Sequence, residues 1–77
     1  MKIKVEQKHI DNGRVASNCL CPVALALKDA GFTKVSVGGL WITTFSGRWD
    51  LPNNVSDFIF AFDEGCNVSP FEFELDI

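Results

Sequence analysis

The two ends of the chain carry matching strand patterns, and this match is the strongest constraint on the fold. Residues 2–5 (KIKV) alternate lysine with an apolar residue. Residues 71–77 (FEFELDI) alternate four apolar residues, up to Ile77, with three carboxylates. Strict alternation predicts strands with one buried face and one solvent face. Because lysines opposite carboxylates stabilise a strand pair by up to about 1 kcal/mol each, we predict that the first and last strands are neighbours.

Charge divides the chain at Arg48. All seven basic residues lie at or before it and, with three carboxylates, give residues 1–48 a net charge of +4. Residues 49–77 carry seven carboxylates and no Lys or Arg, a net charge of −7. Such a split either pairs one part of the fold with another or presents an acidic surface to a partner. The acidic total argues against nonspecific binding of nucleic acid, which needs a basic stripe.

The length of the chain fits one domain, residues 1–77, close to the lower size limit for a single core. The 47% apolar content excludes a disordered chain and exceeds what one small core easily covers. No apolar run reaches the length of a membrane span, so we expect a cytoplasmic protein without a membrane partner. An odd number of cysteines fits poorly with a secreted disulfide framework.

A proline and a glycine bound the first clear helix, predicted over residues 22–30. Pro22 suits the first helical position, and Gly31 suits the position after the last turn. The expected N-terminal cap is one of three residues: Cys21, Cys19 or Asn18. The predicted core face consists of Val23, Ala26, Leu27 and Ala30. Leu25 falls on the opposite side of this helix.

The second clear helix is predicted to start after Pro52 and to stop at Gly65. Asn54 is the expected N-cap, with Asp57 as its capping-box partner. The predicted core face has helical spacing and consists of Val55, Phe58, Ile59 and Phe62. Phe60 points away from this face. Phe60 and Leu25 are therefore expected in a homo-oligomer interface, because soluble monomers rarely expose large apolar patches.

A hairpin is predicted between the two helices. Its first strand covers residues 35–45 with a bulge at Gly38-Gly39, and its turn is expected at Ser46-Gly47. The predicted core face carries Leu40, Ile42, Thr44, Trp49 and Leu51. The other face carries Trp41, Thr43, Phe45, Arg48 and Asp50, which is not an ordinary solvent-facing composition.

These elements predict the order strand, helix, strand, strand, helix, strand. This is the order of a ferredoxin-like split βαβ sandwich. We expect an α+β domain in which two helices cover one face of a small antiparallel sheet. An antiparallel α+β layer with another connectivity is the alternative.

The sequence shows no catalytic signature. Four residues have side chains that bind zinc: Cys19, Cys21, Cys66 and His9. Their spacing differs from that of paired C-x-x-C knuckles, and His9 is expected on the surface of a short helical turn that ends at Gly13. A cysteine nucleophile with His9 as its base lacks an orienting group and an oxyanion hole. We therefore expect no enzyme, no metal and no cofactor.

The outer hairpin face is the strongest candidate binding site. Trp41 and Phe45 can stack on a planar ring, and Arg48 can bind a phosphate or carboxylate. Thr43 and Asp50 can form hydrogen bonds with hydroxyls or amides. The competing interpretation is dimer packing of the two aromatic rings, with Arg48 over Phe45 as a cation–π pair.

Two further surfaces are weaker candidates for binding. Arg14, Ser17 and Asn18 precede the first clear helix, whose free N-terminal amides attract anions, so Arg14 is added as a ligand contact. The alternative partner surface is acidic and would suit a basic site on another protein. Its carboxylates are Asp57, Asp63, Glu64, Glu72, Glu74 and Asp76.

Residues 21–27 (CPVALAL), followed by residues 28–32 (KDAGF), resemble small bacteriophage and prophage open reading frames with a C-P-[IV]-A-L-A-L segment. His9-Ile10 with Gly13, and residues 62–65 leading to residues 70–73, look similar to the same group. The resemblance implies a phage setting in the host cytoplasm, where small proteins neutralise host defences by binding a signal molecule or an enzyme.

We accordingly expect a non-enzymatic anti-defence protein that oligomerises and sequesters a small, nucleotide-derived ligand. The alternative is an acidic protein that inhibits a host enzyme.

Overall fold

The computed structural model describes residues 1–76 and shows an α+β domain, as predicted. Its elements in chain order are β1 (Lys2–Val5), α1 (Gln7–Asn12), α2 (Pro22–Asp29), β2 (Ser36–Val37), β3 (Trp41–Thr44), β4 (Gly47–Asp50), α3 (Asn53–Asp63) and β5 (Phe71–Glu74). Two features separate it from the expected ferredoxin-like order: α1 is an additional helix, and the strands form two sheets.

The terminal strands pair with each other, which confirms the prediction. β1 and β5 are antiparallel, with Lys2 opposite Glu74 and Lys4 opposite Glu72. Lys2 Nζ lies 3.5 Å from Glu72 Oε1, so the described ion pair runs diagonally across the strands. The inward-facing residues Ile3, Val5, Phe73 and Leu75 are buried. The predicted inward position of Ile77 lies outside the described residues.

The expected single sheet is replaced by two, β1–β5 and β2–β3–β4. The strand predicted over residues 35–45 reverses direction where a bulge was expected. Gly38 N–H donates to Trp41 O at 2.9 Å and closes a turn at Gly39-Leu40. β2 is thereby a separate strand that pairs with β3. Leu40 lies in this turn and is 71% exposed, so its predicted core position was wrong.

The β3–β4 hairpin has the predicted faces with a different turn. Its two-residue loop is Phe45-Ser46, and Thr44 lies opposite Gly47. The predicted turn at Ser46-Gly47 would instead have placed Thr44 opposite Trp49. The register thus differs by two residues from the predicted one. Because side chains alternate with a period of two, this shift leaves the strand residues on their predicted faces.

The helix α2 matches its predicted bounds to within one residue. Cys21 is the N-cap, and its Sγ accepts the Ala24 N–H at 3.4 Å. Gly31 follows the C-cap residue Ala30 with φ of +103°, a backbone conformation that favours glycine. Ala24 is buried together with the predicted face, so a wider part of this helix faces the core.

The helix α3 begins at Asn53, directly after Pro52 and two residues before the start that an Asn54 N-cap implies. Its N-cap is Pro52, and Asn54 lies inside the first turn, so the expected capping box of Asn54 and Asp57 was wrong. Gly65 has φ of +82° and follows the last turn, which confirms the predicted stop. Phe60 is 67% exposed and points away from the core, as expected. Across residues 1–76 no helix is long and apolar enough to span a membrane.

The additional helix α1 is held against α2 by His9. The ring is only 4% exposed, so the predicted surface position of His9 was wrong. Nδ1 accepts the Glu6 N–H at 2.9 Å, and Nε2 lies 2.6 Å from Asp29 Oδ2. An accepting Nδ1 leaves the ring hydrogen of the neutral imidazole on Nε2, which donates to the Asp29 carboxylate.

One core joins both sheets and the helices. Its largest fully buried side chains are Ile3, Val5, Pro22, Val23, Leu27, Ile42 and Val55. Leu25 is half-buried. The outer face of the β3–β4 hairpin remains open to solvent.

Candidate functional site

The outer face of the β3–β4 hairpin brings four of the predicted site residues together. Trp41 lies opposite Asp50, and Thr43 lies opposite Arg48. Directly opposed residues share a face, so these four side chains form one surface, as predicted. Phe45 belongs to the turn at the end of that surface, where its ring is 74% exposed.

Arg48 stacks over the ring of Trp41. Its Cζ lies 5.1 Å from the ring centroid, within the range of a cation–π contact. The predicted partner of Arg48 was Phe45, and that prediction was wrong. The two-residue change in register places Arg48 opposite Thr43, from which its long side chain reaches the diagonal neighbour Trp41.

A second cation–aromatic pair lies at the turn. Lys34 Nζ is 5.8 Å from the ring centroid of Phe45. The Phe45 N–H donates to Thr33 O at 2.9 Å, which holds the segment before β2 beside this turn. The sequence analysis missed Lys34. With a turn at Gly39-Leu40, the pairing of β2 with β3 extends to Lys34 opposite Phe45. Recognition of that turn in the sequence would therefore have identified Lys34.

Thr43 and Asp50 add polar groups to the surface that carries the two cation–aromatic pairs. Thr43 Oγ1 donates to Ser36 O at 3.3 Å, which leaves the lone pairs of the hydroxyl as acceptors. Asp50 is exposed and offers a carboxylate to donors. We call this surface the hairpin strip and define it as Lys34, Trp41, Thr43, Phe45, Arg48 and Asp50.

Arg14 does not belong to the hairpin strip. It lies in the loop between α1 and α2, where its N–H donates to Leu20 O at 2.8 Å. In the same loop the Ala16 N–H donates to Asp63 Oδ1 at 3.1 Å. A carboxylate therefore already occupies part of this loop, which disfavours the second anion site expected around Arg14.

The side chains of Cys21 and His9 are both buried and hydrogen-bonded. Cys21 is buried, and its burial raises the pKa of the thiol, which opposes formation of the thiolate nucleophile. Both ring nitrogens of His9 are already hydrogen-bonded. Within residues 1–76 no three His, Cys, Asp or Glu side chains are grouped so that they could hold a metal ion.

The predicted acidic surface is divided. Glu72 is paired with Lys2 on the β1–β5 sheet. Asp63 and Glu64 line a separate cleft between α3 and the residues Gly38 and Gly39. The sequence analysis missed this cleft because its shape depends on how the turn and the helix approach each other.

Comparison of the chain with protein-family models, with curated proteins and with solved structures gave no match.

Proposed function

We propose that the protein is a non-enzymatic binding protein that holds a small, nucleotide-derived ligand on the hairpin strip. The observation that carries this proposal is the presence of two cation–aromatic pairs on one exposed hairpin. Arg48 lies over Trp41 at 5.1 Å, and Lys34 lies over Phe45 at 5.8 Å. A nucleotide combines a planar base with anionic phosphates, so it matches both components.

The cations of the hairpin strip are available to a phosphate. Within the described part of the chain neither Arg48 nor Lys34 forms an ion pair. A guanidinium that stacks on an aromatic ring keeps the N–H donors at its edge, and these donors bind phosphate in a bidentate manner.

The groups around Arg48 indicate on which side of its guanidinium a phosphate would bind. On one side Arg48 borders a shallow polar depression with Asp50, Glu74 and Asp76. Those carboxylates repel a phosphate, whereas the side that faces Thr43 and Trp41 offers a hydroxyl and a ring. We therefore place the phosphate on the Thr43 side of Arg48.

The distance between the two pairs indicates an extended ligand. Trp41 and Phe45 are four residues apart along one strand and its turn, which corresponds to about 13 Å at roughly 3.3 Å per residue. A single base covers one pair only. A ligand that uses both pairs has a base at one and phosphates, or a second base, at the other.

Sequestration requires no reactive group, and the hairpin strip contains neither cysteine nor histidine. The buried Cys21 and the doubly hydrogen-bonded His9 supply neither a nucleophile nor a base. Holding a signal nucleotide requires only affinity, and this suits the anti-defence role in a host cytoplasm that the phage-like segments imply.

Self-association through Leu25 and Phe60, expected from the sequence, is an alternative use of the exposed Phe60 side chain and is not required for nucleotide binding. Phe60 is 67% exposed, whereas Leu25 is half-buried, so Phe60 provides most of the expected contact.

Calorimetric titration with ATP, NAD and a cyclic dinucleotide tests the proposal. We expect at least one of them to bind, and Trp41→Ala to weaken binding by about 1–3 kcal/mol because it removes base stacking. Arg48→Ala should weaken binding to a similar extent. Phe60→Ala is the control, since it removes an exposed ring outside the hairpin strip. Failure of all three nucleotides to bind, or an unchanged affinity of Trp41→Ala, would refute the proposal.

A further inference from the structure

A cleft of about 280 Å³ lies between α3 and the residues Gly38 and Gly39, and no residue of the hairpin strip lines it. Its apolar lining residues are Leu51, Ile59 and Phe60. A Cβ added at Gly39 would meet nothing within 4 Å, so this side of the cleft is open. A cleft of this volume has room for one large apolar side chain of a protein segment.

One exposed apolar side chain lines the cleft, and another belongs to the residue that follows the lining residue Gly39. Phe60 on α3 is 67% exposed, and Leu40, which follows Gly39 in the turn, is 71% exposed. Exposed apolar side chains around a concave surface are typical of a protein-binding site. A helix that lays its apolar face into such a cleft would cover both residues.

The polar end of the cleft is negative. Asp63 and Glu64 line it, and within residues 1–76 neither carboxylate forms an ion pair with a lysine or arginine. Both residues lie at the C-terminal end of α3, where the helix dipole adds partial negative charge. Lys or Arg side chains of a partner would complement this charge.

The same charge argues against a second copy of this chain as the occupant. A two-fold contact through the cleft would bring Asp63 and Glu64 of both copies into one interface. Like charges at an interface disfavour association, whereas opposite charges select the partner. We propose that the cleft binds a basic, amphipathic helical segment of another protein, with a large apolar side chain in the cleft and Lys or Arg beside Asp63 and Glu64.

Calorimetry of the full chain with a model peptide tests this proposal independently of nucleotide binding. The probe is a peptide of about 12 residues with leucine at positions i, i+3, i+4 and i+7 and lysine elsewhere. Its control has glutamate in place of lysine. We expect binding of the lysine peptide only, with an affinity that falls as salt is raised.

Matched variants locate the peptide on the protein. Phe60→Ala should weaken binding about tenfold, and Asp63→Asn combined with Glu64→Gln should lower both the affinity and its salt dependence. The Asn side chain still provides an acceptor for the Ala16 N–H, so this loop contact is retained. Phe45→Ala and Asp57→Asn are the controls and should leave the peptide affinity unchanged.

Three results would overturn the proposal. The first is absence of binding by the lysine peptide at low salt. The second is equal affinity of the wild-type protein and the Phe60→Ala variant for that peptide. The third is a stable dimer in light scattering that Phe60→Ala dissociates, because this would assign the cleft to a second copy of the chain.

Discussion

His9 connects the first two helices through both nitrogens of its ring. It accepts the Glu6 N–H and donates to the carboxylate of Asp29. Lys8 Nζ lies 3.4 Å from the same carboxylate. The hydrogen bond from His9, followed by that from Lys8, lowers the pKa of Asp29. The ionised form of Asp29 is therefore the form that stabilises the contact between α1 and α2.

This contact predicts an acid dependence of stability. Because the pKa of Asp29 is lower in the folded protein than its ordinary value of 3.8, its contribution is present above pH 3.8. The contribution is lost as pH falls through the folded-state pKa. Urea unfolding at a series of acidic pH values measures this loss. The free energy of unfolding of the wild type should fall with pH in this range, and Asp29→Asn should lack the part of the fall that is due to Asp29. Asp57→Asn is the control and should keep the wild-type slope. Identical pH profiles for the wild type and Asp29→Asn would contradict the prediction.

At the scale of elements, the approach of α2 to the end of α1 requires a glycine. A Cβ at Gly13 would lie 2.6 Å from both Cδ and Cγ of Pro22 and 2.9 Å from His9 O. These distances are shorter than any ordinary van der Waals contact of a Cβ. The glycine therefore allows the two helices to meet, and a larger residue would have to displace a proline ring and a backbone carbonyl.

Gly13→Ala should destabilise the protein by about 1–3 kcal/mol, the usual cost of overpacking. Gly39→Ala is the matched control, because a Cβ at that position meets nothing within 4 Å. We expect Gly39→Ala to stay within about 0.5 kcal/mol of the wild type. The free energy of unfolding from urea titration measures both. Equal stability of the two variants would show that α1 and α2 are not packed this closely.

The elements with local signals could be predicted from the sequence. The alternation of residues 2–5 and 71–75 is sufficient to identify two half-buried strands and the charge pairing between them. Pro22 and Gly31 mark the bounds of α2 through their backbone preferences. The faces of the hairpin were also predicted, because a register error of two residues does not change them.

The remainder depends on contacts between distant residues. Gly38-Gly39 suits a bulge as well as a turn, and the pairing of β2 with β3 decides between them. Lys34 joins the site only through that pairing. His9 is buried and contacts Asp29 of α2, which is 20 residues away in the chain, so no local pattern predicts this contact.

At the scale of the whole molecule, the charge split of the sequence has three separate roles. Part of it pairs the terminal strands, as between Lys2 and Glu72. The cations Arg48 and Lys34 lie on the hairpin strip beside aromatic rings. The carboxylates of Asp63 and Glu64 lie at the cleft next to α3. The proposed nucleotide site and the proposed peptide site therefore lie on surfaces of opposite charge.

The indole N–H signals of the two tryptophans test the central claim most directly. Trp41 lies on the hairpin strip, whereas Trp49 is half-buried and its Nε1 donates to Asp76 O at 3.1 Å. In a ¹H–¹⁵N spectrum, with Trp49→Phe used for assignment, a saturating nucleotide should shift the Trp41 signal and leave the Trp49 signal in place. In Arg48→Ala a higher nucleotide concentration should be needed to produce the same shift of the Trp41 signal. A Trp41 signal that every nucleotide leaves unchanged, or a shift confined to Trp49, would contradict a ligand site on the hairpin strip.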